Sequence, residues 1–145
     1  MLNTPKTQTA QTGPRLAYLV SRYPAVSHTF ILREVQELRR QGFDISVASI
    51  NAPDRGDADM TPDERDEAAR TYYVKRHGVM GALRAHVAGL RTPAAYLRGL
   101  SAAFELGGWD ARRVAYNLFY FTEALMLARW MCTRQIGHLH VHFAT

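Results

Sequence analysis

Three histidines at alternate positions, His138, His140 and His142, stand close to the end of the sequence. On an extended strand, alternate residues share one face. Imidazole changes charge near neutral pH, so such a face could hold a metal or move a proton. Same-face neighbours are about 6.5–7 Å apart, however, and three in a row diverge rather than converge on one ion. No nearby Cys or carboxylate completes a ligand set, so no metal centre is expected. Divided roles fit better. His138 and His140 pack or hydrogen-bond along the strand, while His142, at its tip, can take a proton from a hydroxyl or orient it.

A second group of polar side chains lies far away in sequence: Ser21, Arg22, Tyr23, Ser27 and Thr29. The segment Arg22-Tyr23-Pro24-Ala25-Val26-Ser27-His28 reads as a loop, and Ser27 as the N-cap of the helix that follows. Val26 and Ile31 occupy the positions of a hydrophobic staple. The amides of His28, Thr29 and Phe30 would then open toward an anion such as a phosphate. Capping alone would also account for Ser27, and packing for Tyr23.

The flanking elements bring these two groups together. Leu16-Ala17-Tyr18-Leu19-Val20 is an unbroken apolar run, as in a strand buried on both faces. A helix follows to about Gln41, with Ile31, Val35 and Leu38 on one face and Gly42 as its left-handed C′ residue. Phe43–Ile50 alternates as a second strand. Thr61-Pro62-Asp63-Glu64 is a capping box with Pro at the first helical position, opening a helix to about Arg70. Thr71–Val74 is a short third strand.

Residues from about 77 to 136 read as helices. Met80, Leu83, Val87 and Leu90 form one stripe, and Leu97, Leu100 and Phe104 another. Asp110 caps a longer helix whose buried side is expected to be Val114, Leu118, Phe121, Leu125, Ala128 and Cys132. Gly137 ends that helix, and His138–Phe143 forms the last strand. This order predicts an α/β, Rossmann-like parallel sheet with flanking helices. In the common doubly wound order the first and fourth strands are neighbours, and ligands bind at their carboxyl ends. His142 and the loop from Ser21 to Thr29 would then face one crevice.

Composition narrows the classes. The 145 residues are 47% hydrophobic and 21% charged, as in a globular domain. The net charge of +5 favours anionic partners. The single cysteine, Cys132, excludes an internal disulfide and reads as a buried thiol. Residues 1–14 are polar and read as a disordered tail without a secretory pattern. No run approaches the roughly 20 apolar residues of a spanning helix. The expected location is therefore cytoplasmic, with the inner face of the plasma membrane as a further setting. No G-x-G-x-x-G turn follows the first strand and no Walker A sequence occurs, so no dinucleotide or other cofactor is expected. Arg84, Arg91, Arg98, Arg112 and Arg113 are spread over several helices, which suits solvent or an anionic lipid surface rather than nucleic acid.

Two stretches also resemble a known family. Tyr23-Pro24-Ala25-Val26-Ser27-His28-Thr29-Phe30-Ile31, between a strand and a helix ending in Arg39-Arg40-Gln41-Gly42, looks like the opening of bacterial family-4 (GT-B) glycosyltransferases of the exopolysaccharide and colanic-acid type. His138-Leu139-His140-Val141-His142-Phe143-Ala144 is similar to that family's His-x-His-Phe-Ala strand. The resemblance covers about residues 15–51 and 137–145 well, and the middle loosely. Many relatives carry Glu where this chain has His28.

The resemblance implies a retaining transfer of sugar from a nucleotide-sugar to a glycan or lipid-linked acceptor in surface polysaccharide biosynthesis, without an essential metal. It implies that residues 15–145 form part of an acceptor-side domain, with Ser27, Thr29 and His142 lining the cleft. The nucleotide-sugar would belong to a C-terminal domain absent from this sequence, and the piece alone would be inactive. The last strand stands near the end of the chain with no covering helix after it, so the domain is expected to continue. A small complete domain, its open face covered by the helical segment, is the alternative. From a different class, a non-catalytic binding or membrane-surface module on half a Rossmann fold would share the same elements.

Overall fold

The computed structural model describes residues 14–142; the expected tail falls outside them except for Pro14, as do Phe143 and Ala144. Four parallel strands form one sheet: β1 (Leu16–Arg22), β2 (Ile45–Asn51), β3 (Tyr72–Tyr73) and β4 (His138–His142). Their order is β3-β2-β1-β4, with β1 hydrogen-bonded to β2 on one side and β4 on the other. The chain is thus an α/β protein with a Rossmann-like, all-parallel sheet, as the sequence predicts.

Helix α1 (Thr29–Arg40) covers one face of the sheet. Ile31 and Val35 meet Tyr18, Val20, Ile45 and Val47 there, and the fully buried Tyr23 completes that core. Gly42 takes the left-handed conformation (φ 96°) that closes α1. The Phe43 amide donates back to the Leu38 carbonyl at 3.1 Å. This closing turn holds Phe43 partly exposed, so β2 begins at Ile45 rather than Phe43. Helix α2 (Pro62–Arg70) starts on the expected capping box. Thr61 Oγ1 accepts from the Glu64 amide at 3.3 Å, and Glu64 Oε2 accepts from the Thr61 amide at 2.8 Å. The Thr61 amide foremost, with the Thr61 hydroxyl donating to the same oxygen at 3.0 Å, holds the Glu64 carboxyl below its usual range.

The helical segment comprises α3 (Gly78–Gly89), α4 (Pro93–Gly107) and α5 (Ala111–Arg134). Asp110 caps α5 as expected, accepting from the Arg112 and Arg113 amides at 2.9 and 3.2 Å. Ala17 and Ala48 make the second sheet face shallow, which leaves room for Leu127 and the indole of Trp130. That indole stacks on Tyr72 with centroids 5.0 Å apart.

The apolar stripes of α3 and α4 lie largely on the outside, and two expectations for α5 need correction. Met80, Leu83, Val87 and Leu90 all face outward, as do Leu97 and Phe104. The inner side of α3 is built from small residues instead, with Ala85 buried and Ala82 half-buried against Met126 and Val74. A Cβ on Gly81 would come within 2.9 Å of Met126 Cε, and one on Gly89 within 2.9 Å of the Tyr96 ring. Close approach of α3 to its neighbours therefore selects the small stripe, and the large side chains are left outside.

On α5 the inward face changes along its length. Val114, Leu118, Phe121 and Leu125 are half-buried, but nearer the sheet Met126, Leu127 and Trp130 turn inward. Ala128 and Cys132 consequently lie on the exposed side, and the thiol is not buried. The left-handed residue ending α5 is Gln135 (φ 57°) rather than Gly137.

Candidate functional site

The sheet order places the two sequence-distant groups side by side. Val20 pairs with His142, and two residues later β1 ends at Arg22 and enters the loop. The carboxyl ends of β1 and β4 therefore stand side by side where strand order reverses, the place at which such sheets form a binding crevice.

Within it, the sequence-selected residues divide. Arg22, Ser27 and Thr29 are exposed at the mouth. Ser21 is half-buried, and its carbonyl accepts from Asn51 Nδ2 at 2.8 Å. Lys75 Nζ donates to Asn51 Oδ1 at 2.8 Å, so the carboxyl ends of β1 and β2 are clamped by one amide. Tyr23 offers nothing to the mouth. Its side chain is fully buried, its hydroxyl donates to Glu67 Oε2 at 3.2 Å, and its amide donates to Ser49 Oγ at 3.0 Å. Burial, then the Glu67 carboxylate, push its ionisation well above the ordinary tyrosine range, so it stays neutral. Its role is to anchor the loop. Arg39 completes that anchor through an ion pair with Glu67.

The expected helix start is also revised. Val26–His28 forms a single 3-10 turn, and α1 begins only at Thr29 with His28, not Ser27, in the capping position. Val26 is exposed, so no staple with Ile31 forms. The His28 amide is held by the Ala25 carbonyl at 3.0 Å and does not open toward a ligand. The Val26 amide donates to Asp54 Oδ2 at 3.0 Å. Of the His28, Thr29 and Phe30 amides expected to open toward an anion, that of His28 is thus taken by the backbone itself.

His142 stands deeper, beside the second turn of α1. Its side chain is 18% exposed, and Nε2 lies 4.0 Å from Glu34 Oε2. The other Glu34 oxygen accepts from the Tyr18 hydroxyl at 2.8 Å. Burial first, then Glu34, raise the Tyr18 hydroxyl to about 12, so Tyr18 remains a proton donor near neutrality. The His140 and His142 rings lean together, centroids 4.5 Å apart, and both lie over Tyr18 at 4.9 and 5.1 Å. They converge instead of diverging, because one large ring on the neighbouring strand gives both a surface to pack on. Among the described residues, no three of His, Cys, Asp and Glu gather around a common point.

Sequence reasoning passed over Tyr18 and Glu34. Tyr18 sat inside an apolar run, and Glu34 lies off the Ile31–Val35–Leu38 face of the helix. The usable signal was a tyrosine in a buried strand, whose hydroxyl needs a partner, facing a helix with a carboxylate beside its apolar stripe. Together they give the site a hydroxyl, a carboxylate and an imidazole in sequence. Such a carboxylate can orient an imidazole and stabilise its charged form while it takes up a proton.

Comparisons with protein-family models, with curated proteins and with solved structures found no match. The class that the fold defines is a Rossmann-like, all-parallel α/β protein whose first and fourth strands end side by side at the switch point of the sheet. Among the described residues, no helix is long and apolar enough to cross a membrane.

Proposed function

We propose that this chain is the acceptor-side domain of a GT-B glycosyltransferase, serving transfer of a sugar from a nucleotide-sugar to a glycan or lipid-linked acceptor. One observation carries the reading: β1 lies between β2 and β4, so the strand end bearing His142 and the strand end entering the Ser21–Thr29 loop are neighbours at the carboxyl edge. The motif likeness at Tyr23–Ile31 supports it, as does the Tyr18–Glu34–His142 series. An acceptor hydroxyl in the crevice would meet donors and acceptors from Arg22, Ser27 and Thr29. His142, backed by Glu34, would take or orient its proton. The activated sugar would be held by a second domain, as the resemblance implies.

The test is a transferase assay of the gene's whole product against a panel of nucleotide-sugars. His142→Ala should lower turnover by roughly 10²–10⁴-fold, the usual worth of a positioned acid–base group, with nucleotide-sugar affinity unchanged. Unaltered turnover removes His142 from the mechanism. Absence of transfer with every donor favours the non-catalytic module instead.

A further inference from the structure

Positive charge gathers at one concave place on the helical side of the sheet. A cavity of about 330 Å³ lies between α3, α5 and strand β3, and Tyr72, His77, Arg84, Arg129, Trp130 and Arg134 line it. No Asp or Glu is among its lining residues. The lining comes from two stretches, 72–84 and 126–134. The sequence holds no Asp or Glu between Thr71 and Phe104, and none after Glu123. The charge of the three arginines is therefore not balanced by their own elements.

Carboxylates of the adjoining elements are engaged elsewhere. Glu123 lines a separate cavity and lies 3.9 Å from Lys75. Glu67 accepts from the Tyr23 hydroxyl and pairs with Arg39, on the α1 face of the sheet. Asp44 pairs with Arg15, which donates to the Arg134 carbonyl. Adjacent residues of a strand point to opposite faces. Tyr73 accordingly feels Asp57 and Glu67, whereas the charge acting on Tyr72 is that of Arg129. Among the described residues, the side chains of Arg84, Arg129 and Arg134 make no ion pair and no hydrogen bond. The Arg134 guanidinium lies 5.7 Å from the Trp130 ring centroid.

The cavity wall also holds a donor without an acceptor. Trp130 is 7% exposed, and its buried indole N–H has no hydrogen-bond partner among the described residues. A buried indole N–H normally finds one. The ring is fixed in place: it stacks on Tyr72, which stacks on His77 with centroids 4.7 Å apart. Three guanidiniums around one cavity repel one another, and an anion among them removes that cost. A carboxylate fills one guanidinium fork, whereas a phosphoryl group brings up to two charges and three acceptor oxygens. A concave site of this size suits a small molecule. We propose that this cavity binds the phosphoryl group of a small molecule, with Arg84, Arg129 and Arg134 on its oxygens. Strands β3 and β4 are the two edges of the sheet, so the site lies away from His142 and is independent of the sugar-transfer reading.

The experiment is calorimetric titration of the 145-residue chain with inorganic phosphate, pyrophosphate, glycerol 3-phosphate and, for comparison, acetate at equal ionic strength. The three phosphoryl compounds should bind saturably at millimolar concentration or below, and acetate should not. Arg84→Ala and Arg129→Ala should each weaken binding roughly tenfold, the worth of a charge-assisted hydrogen bond. Arg98→Ala, exposed on α4 and outside the cavity, should leave it unchanged. All three arginines are exposed, so each variant should keep the parent's circular dichroism. Trp109 is fully exposed, and Trp109→Phe leaves Trp130 as the sole indole, whose emission should change on binding. Tighter binding of glycerol 3-phosphate than of phosphate assigns part of the cavity to the organic group; equal binding assigns the anion alone. Three results overturn the proposal: no saturable binding of any phosphoryl compound, acetate binding as tightly, or equal losses in the Arg98→Ala and Arg129→Ala variants.

Discussion

The sheet half and the helical half of this molecule handle apolar and charged residues in opposite ways. From Leu16 to Val74, large side chains such as Val20, Tyr23, Ile31, Val35 and Val47 are fully buried, and key charges are paired across elements, as in Arg39–Glu67 and Arg55–Glu64. From Gly78 to Arg134, the interior is made largely of Gly and Ala plus a few long side chains from α5, and large apolar residues project outward. The first arrangement withdraws apolar surface from water, which drives folding. The second leaves that surface available, which in a water-filled setting marks a contact face.

Mutations of matched size should separate the two halves. Ile31→Ala removes a fully buried side chain and should cost about 2–5 kcal/mol in denaturant unfolding, whereas Leu83→Ala on the outer stripe of α3 should change stability by under about 0.5 kcal/mol. Similar costs at both positions would erase the contrast.

A smaller effect tests the close packing of the helical half. Gly107→Ala would place a Cβ 2.7 Å from the Val114 backbone Cα and 2.8 Å from its nitrogen. The hairpin must spread to admit it, at a cost of about 1–3 kcal/mol in thermal or chemical unfolding. Helix propensity alone predicts the reverse sign, since Ala is the better helix former. A stabilised variant would show that the hairpin is loosely closed.

The smallest effect concerns Glu123, the buried carboxylate of α5. Burial raises its pKa, and Lys75 offsets this only in part. A carboxyl whose folded pKa is raised favours folding below its unfolded pKa and opposes it as pH rises through the folded value. Glu123→Gln should therefore gain stability at pH 7 relative to the parent, with the gain fading by about pH 4. A gain that is the same at both pH values would exclude burial of the charge as its cause.

How much was legible follows from which forces act locally. The Thr61–Glu64 box, the Asp110 cap and the left-handed Gly42 depend on a few consecutive residues, and each appears where the sequence places it. The β1 run and its β-α-β context likewise fix the parallel strands. The start of α1 was misplaced because Asp54, remote in sequence, takes the Val26 amide, and the Ala25 carbonyl takes that of His28. At the candidate site, the crevice came from strand order, but the Tyr18–Glu34–His142 series did not. It joins two strands to a helix, and no local pattern encodes it.

Hydrophobic periodicity by itself determined where helices and strands lie, because backbone hydrogen bonding and side-chain period are set within a few residues. It could not decide which stripe of α3 faces inward. Both the Met80–Leu90 stripe and the Gly81–Ala85–Gly89 stripe have helical spacing, and only the distance at which α3 can approach α5 and α4 chooses between them. Tertiary packing likewise decided that Tyr23 anchors the loop from beneath and that Cys132 lies on the exposed side of α5. Those outcomes depend on the shape of the partner surface, which exists only once the sheet has formed.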